Sequence, residues 1–260
     1  METQPSASKT GTYVYCVLPG TAKKASFRTP PIGANGAKRK PRLVRDGDLA
    51  ALVSDVPLTE YDPSRANLAA HEGLLDEALE NSDVLPMRFG TVAGNDSEVV
   101  GFLRSKHDAL VRFLEGVKGK AELNVKVMWD RNRIFAEILV EEPKLKGLLG
   151  ASGGAARAPD DNTLELGRAV FEAMERKREA EAKRIVDQLR GFATDVSVNR
   201  LLSEDMILNA SFLVERSKIP LFDEQVRALS AAETNRLVFK YVGPLPPYSF
   251  VNLVIQAQPA

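Results

Sequence analysis

Two histidines and one cysteine are all that this chain of 260 residues offers for imidazole, thiolate or soft-metal chemistry. His71 stands beside Glu72 and His107 beside Asp108. Adjacent helix positions point in different directions, so neither pair forms a dyad by itself, and both histidines are expected on partly exposed helix surfaces. Cys16 lies among Val14, Tyr15, Val17 and Leu18. A reactive thiolate needs a helix N-terminus or a cationic neighbour, and an apolar strand supplies neither. A single cysteine also excludes an internal disulfide and a Cys-cluster metal site. Gly147, Gly150, Gly153 and Gly154 follow no strand and precede no Lys-Ser/Thr pair, so they form no phosphate loop. Asp83, Asp130 and Asp205 stand at element ends, where capping is the ordinary use of a short acceptor side chain. No catalytic residue, cofactor or metal ligand is assigned.

Composition points the same way. Apolar residues make up 44% and charged residues 27%, values ordinary for a soluble globular protein. The 35 basic residues balance 35 acidic ones, which argues against a broad nucleic-acid or acidic-membrane surface. No apolar run reaches the roughly 18 residues of a membrane span. Residues 1–10 lack the apolar stretch of a secretion signal and read as a disordered tail. A reduced, cytoplasmic protein of about two domains is the expectation.

The elements that would position any site follow from periodicity and turn chemistry. Residues 12–18 (TYVYCVL) read as a strand buried on both faces, closed by Pro19-Gly20. A basic loop over 19–41 carries Lys23, Lys24, Arg28, Lys38, Arg39 and Lys40 without an acid, and is expected to be solvated. Asp46-Gly47 joins two short strands as a hairpin. A helix starts behind Asp62-Pro63-Ser64 with Leu68, Leu74, Leu75, Ala78 and Leu79 on one face. Residues 84–90 form a proline-interrupted strand, which must be an edge or a bulge. One helix is expected from Asn95 or Asp96 to Glu115. The boundary falls there, giving an N-terminal mixed α/β domain over 1–118.

The second domain, 119–260, begins with an alternating strand in which Leu123, Val125, Val127 and Trp129 share a face. A helix over 132–140, a glycine-containing loop over 151–162 and a long helix over 163–192 come next. The long helix has an apolar stripe of Val170, Phe171, Met174, Ile185, Leu189 and Phe192, and its charged middle turns read as a solvated span. Two strands, a helix and a last strand complete a β, α, β, β, α, β order, the split topology of a ferredoxin-like fold. The fold class is therefore α+β, with an extended C-terminal arm over 243–260.

Two stretches stand out. Residues 84–92 set Arg88 inside an apolar run with Pro86. In the arm, Pro244, Pro246 and Pro247 stiffen a segment loaded with Tyr248, Phe250 and Val251. That arm either folds back over the first domain, the preferred reading, or binds another protein. These stretches, with Tyr13-Val14-Tyr15, Val125 to Asp130 (VKVMWD) and Leu208 to Val214 (LNASFLV), resemble the gas vesicle protein F/L family in the expected order.

The resemblance implies a two-domain α+β protein with a modified ferredoxin-like C-terminal domain and no catalytic residues to transfer. It implies a non-enzymatic accessory protein of gas vesicle formation. Its partners would be the very hydrophobic gas vesicle shell protein and other gas vesicle accessory proteins, during nucleation or early assembly. A place as a minor structural component of the vesicle is equally compatible. Strand addition and apolar docking need backbone edges and apolar side chains. The partner-binding residues expected on that ground are Leu85, Pro86, Arg88, Phe89, Pro244, Pro247, Tyr248 and Phe250. A ligand-binding regulatory protein of ferredoxin-like fold is the alternative.

Overall fold

The computed structural model describes residues 9–23, 26–33, 40–151, 161–234 and 236–251. The chain forms two compact units, Met1–Glu122 with Pro244–Ala260, and Leu123–Gly243. Helix and sheet are mixed throughout, as an α+β class requires. The segment from Pro244 onward groups with the first unit, although its sequence position is at the far end of the second.

The first unit runs β1 (Thr10–Pro19), β2 (Arg42–Asp46), β3 (Leu49–Pro57), α1 (Arg65–Asn81), β4 (Leu85–Pro86), β5 (Val92–Ala93), α2 (Asp96–Ser105) and α3 (His107–Val117). Its sheet has the order β2-β3-β1-β4, with β5 also paired to β1. The pairings of β1 with β3, β4 and β5 and of β2 with β3 are antiparallel. Gly47, at φ 58°, makes the hairpin turn that Asp46-Gly47 predicts. β1 is buried along nearly its whole length. A register shift between Val14 and Cys16 lets Val14 and Val17 face one core, while Tyr13, Tyr15, Cys16 and Leu18 face the other. Leu103, Leu110 and Leu114 of α2 and α3 fill the first core; Leu74, Leu75 and Leu79 of α1 fill the second.

Four expectations change in this unit. Thr10 pairs with Pro57, so the strand starts inside the stretch read as tail, of which residues 1–8 lie outside the described residues. The strand over 84–90 shrinks to the two residues of β4, because Pro86 supplies no donor and Gly90 turns the chain at φ 82°, and pairing resumes only in β5. The helix over 95–115 breaks at Lys106 into α2 and α3. Arg104 before the break binds both Asp46 carboxylate oxygens, and His107 after it sits 2.7 Å from Asp48, so each end clamps the hairpin turn. The basic loop is tied down at Arg28 and Thr29, whose backbone amides both donate to Glu77 of α1, and Ile32 is buried. Its Lys24, Lys38 and Arg39 lie outside the described residues.

The second sheet has the order β7-β8-β6-β9, from β6 (Lys120–Trp129), β7 (Asp195–Val198), β8 (Met206–Glu215) and β9 (Leu237–Leu245). With α4 (Arg131–Glu141), α5 (Pro143–Ala151) and α6 (Asp161–Arg190) after β6, and α7 (Ile219–Ala232) after β8, this is the strand order of a split β-α-β arrangement. Leu123, Val125, Val127 and Trp129 all enter its core. Pro143 opens α5, where a first-turn proline loses no hydrogen bond. The loop expected over 151–162 falls mainly on residues outside the described set; its ends belong to α5 and α6.

The middle of α6 is not a solvated span. Arg236 donates to Glu137 at 2.7 and 2.8 Å, to Glu181 at 2.5 Å and to Glu233 at 3.0 Å, while Lys177 reaches Glu137 and Glu141 at 3.4 and 2.5 Å. Phe171, expected inward, is 64% exposed. The inner line holds Ala173, Glu181, Ile185 and Leu189, four or eight residues apart, so a charged residue occupies one of its turns.

Candidate functional site

The two odd stretches of the sequence meet around His71. Ser64 caps α1 by accepting from the Asn67 amide, and this phase puts His71 on the same face as Leu74, Leu75, Ala78 and Leu79. His71 is only 2% exposed, not the surface histidine its neighbours suggested. Its Nδ1 lies 3.1 Å from the Tyr13 hydroxyl of β1 and its Nε2 lies 3.3 Å from the Tyr248 hydroxyl of the arm. The Phe89 ring stands 5.7 Å from the imidazole, and the Gly90 amide donates to the Tyr13 hydroxyl at 2.8 Å. Tyr15 completes the layer, its ring 4.8 Å from Tyr13, its hydroxyl shared with Ser54 and accepting from the Ile32 amide.

Burial drives the electrostatics here. It pushes His71 down to about 4, opposed in part by a hydrogen bond with the Met87 backbone. It pushes the Tyr13, Tyr15 and Tyr248 hydroxyls up, and for Tyr248 the nearby Glu72 adds to the effect. At neutral pH the imidazole is uncharged and the phenols keep their protons. A base that titrates near 4 is poorly matched to proton transfer at pH 7. What the cluster does chemically is hold the arm.

The arm is held at three more points. The Ser249 amide and hydroxyl donate to the two Glu122 carboxylate oxygens, each at 2.8 Å. Val251 is buried in the other core, so the arm passes from one face of the sheet to the other. Pro246 and Pro247 are buried.

The eight residues singled out for partner contact divide accordingly. Leu85 and Pro86 are buried, Leu85 opposite Val17 in the sheet, and offer no free side chain to a partner. Pro247 is likewise interior. Arg88 and Pro244 are exposed, while Phe89 and Phe250 are half-buried. Tyr248 leaves 42% of its surface open although its hydroxyl is bound. The sequence reasoning missed His71 and Glu122, the two groups that fix the arm. For His71 the signal was present: it stands three, four, seven and eight residues before the apolar positions of α1.

The other chemistry-bearing groups are engaged locally. Cys16 is buried, and burial pushes its thiol up. His107, half-buried, lies 3.1 Å from Asp108 as well as near Asp48, so adjacent residues do pair at this helix start. Those bonds raise His107 and lower Asp48. Asp130 caps α4 by accepting from the Arg133 amide, as a short acid at an element end should. Among the described residues no three His, Cys, Asp or Glu side chains gather as a metal site, and no helix is long and apolar enough to cross a membrane.

Comparison with known proteins places this architecture. The family model for gas vesicle synthesis protein GvpL/GvpF matches residues 11–252. Gas vesicle protein F of Streptomyces sp. (strain CB03234) is 36% identical over 93% of this chain and 99% of its own length. Gas vesicle protein L of the same organism is 30% identical over 86% of this chain and 88% of its own. The crystal structure of GvpF from Anabaena sp. PCC7120 superposes with a TM-score of 0.82 at 24% identity, covering 95% of this chain and all of that one. GvpF from Microcystis aeruginosa gives 0.74 at 23% identity, covering 94% and 99%. Those identities carry the fold, and the family match with the Streptomyces relatives carries the kinship: the chain belongs to the GvpL/GvpF family of gas vesicle synthesis proteins.

Proposed function

We propose that this chain is a non-enzymatic accessory protein of gas vesicle formation that binds the hydrophobic shell protein, with other accessory proteins, during nucleation or early assembly. The observation that carries the reading is the family match over residues 11–252. Physics supplies the need. A shell that keeps water from a gas space must have a strongly apolar inner face, and large exposed apolar patches drive aggregation unless a partner covers them. The protein acts in the cytoplasm and at the vesicle; nucleic acid and membrane are not among its partners.

The contact surface proposed is the outer rim of the His71 cluster. Phe89 and Arg88 come from the turn after β4, and Tyr248 and Phe250 from the arm, with Pro244 exposed ahead of them. Leu85, Pro86 and Pro247 support that rim from within. Aromatic and arginine side chains on a rigid base are the kind that dominate binding energy. A pull-down of the purified chain against freshly translated shell protein tests this. Wild type retains the shell protein, and Tyr248→Ala with Phe250→Ala lowers retention about five-fold or more. Equal retention by the double variant removes the arm from the contact. Immunoblotting of washed vesicles then separates an assembly factor, which is lost, from a minor structural component, which stays.

A further inference from the structure

β9 closes one edge of the second sheet, and its two faces differ. Leu237, Phe239 and Tyr241 turn into the core. The Tyr241 ring lies 5.9 Å from Phe222 and its hydroxyl donates to Asp223 at 2.5 Å, so the strand is anchored from behind. Val238, Lys240 and Val242 alternate with those residues and are exposed, the valines at 58% and 54%. The Lys240 side chain makes no hydrogen bond or ion pair among the described residues. A strand at a sheet edge carries unpaired main-chain N–H and C=O groups, which template another strand.

A second copy of this chain does not fit that edge. The antiparallel register that sets Val238 against Val242 also sets Lys240 against Lys240, and like charges directly opposite are destabilising. The lysine that rejects a copy selects an acid. We propose that β9 accepts an extended segment of a partner protein as an added strand, one with an acidic residue flanked by apolar residues two positions away on each side. The acid then faces Lys240 while the apolar pair covers Val238 and Val242. This site lies in the other unit from the arm and stands whether or not the arm contacts the shell protein.

The test uses the full chain and two fluorescein-labelled peptides, TVTETVT and TVTKTVT, with binding read by fluorescence anisotropy at low salt. The glutamate peptide binds and the lysine peptide is weaker by about ten-fold. Lys240→Glu, whose fold is checked by circular dichroism, reverses that preference. Equal binding of the two peptides, no binding of either up to about 1 mM, or an unchanged preference in Lys240→Glu overturns the proposal. Sedimentation of the unlabelled chain supplies the other arm. A dimer that Val242→Asp dissolves gives the edge to a second copy and overturns it as well, whereas a monomer agrees with it.

Discussion

His71 is uncharged in the folded chain down to a pH of about 4, whereas an imidazole in the unfolded chain takes a proton below about 6.5. Between those values the unfolded state binds more protons, so stability falls as the pH is lowered. The full effect is about 3 kcal/mol, present at pH 7 and gone near pH 4. Urea melts at pH 7 and pH 5 measure it: wild type loses stability across that interval and His71→Asn loses much less. Parallel losses in the two proteins would mean that other groups set the slope. His107 works in the opposite sense, because its bonds to Asp48 and Asp108 raise it. Its contribution is present below the unfolded value and lost as the pH rises through the folded one, and its exposure to solvent keeps that contribution small. The inward placement of His71 was legible in the spacing of α1. Its partners were not, since Tyr13 and Tyr248 lie 58 and 177 residues away in the chain.

Elements carry the next level. Gly90 holds φ 82° at the turn after β4, with open space where a Cβ would be. Gly90→Ala therefore meets a backbone penalty alone, about 1–2 kcal/mol in a urea melt; no loss would mean the turn re-forms without positive φ. The arm hangs on Glu122. Glu122→Ala removes both acceptors of Ser249, and amide exchange over 249–251 rises by about ten-fold or more; unchanged protection there would assign the arm's hold to Tyr248 and Val251. In the second unit, burial pushes Glu181 up, but Arg236 and Arg184 outweigh it and keep Glu181 below the usual carboxylate range. Arg236→Ala removes a partner shared by Glu137, Glu181 and Glu233, which keep Lys177 or Arg184, and costs about 2 kcal/mol, while the exposed pair of Arg131 with Glu204 loses less than about 1 kcal/mol in Arg131→Ala. Similar losses would make Arg236 an ordinary surface partner. Turn chemistry made Gly47, the Ser64 cap and the ends of β6 legible. The break at Lys106 and the inward charges of α6 were not, because they depend on Asp46, Asp48 and Arg236, far away in the chain.

At the scale of the molecule, strand order was readable from the alternation of periods two and 3.6, and the β7-β8-β6-β9 sheet has the order that reading gives. The return of the arm to the first unit could be weighed from its apolar load, but its path across both faces of a sheet depends on Val251 and Tyr248 finding different cores. The proposed shielding of apolar shell protein by the rim is read directly by light scattering of freshly translated shell protein. The full chain is expected to suppress the rise in scattering at near-equal molar ratio, and the Tyr248→Ala, Phe250→Ala double variant is not. Shell protein that aggregates equally fast with and without the wild-type chain would contradict it.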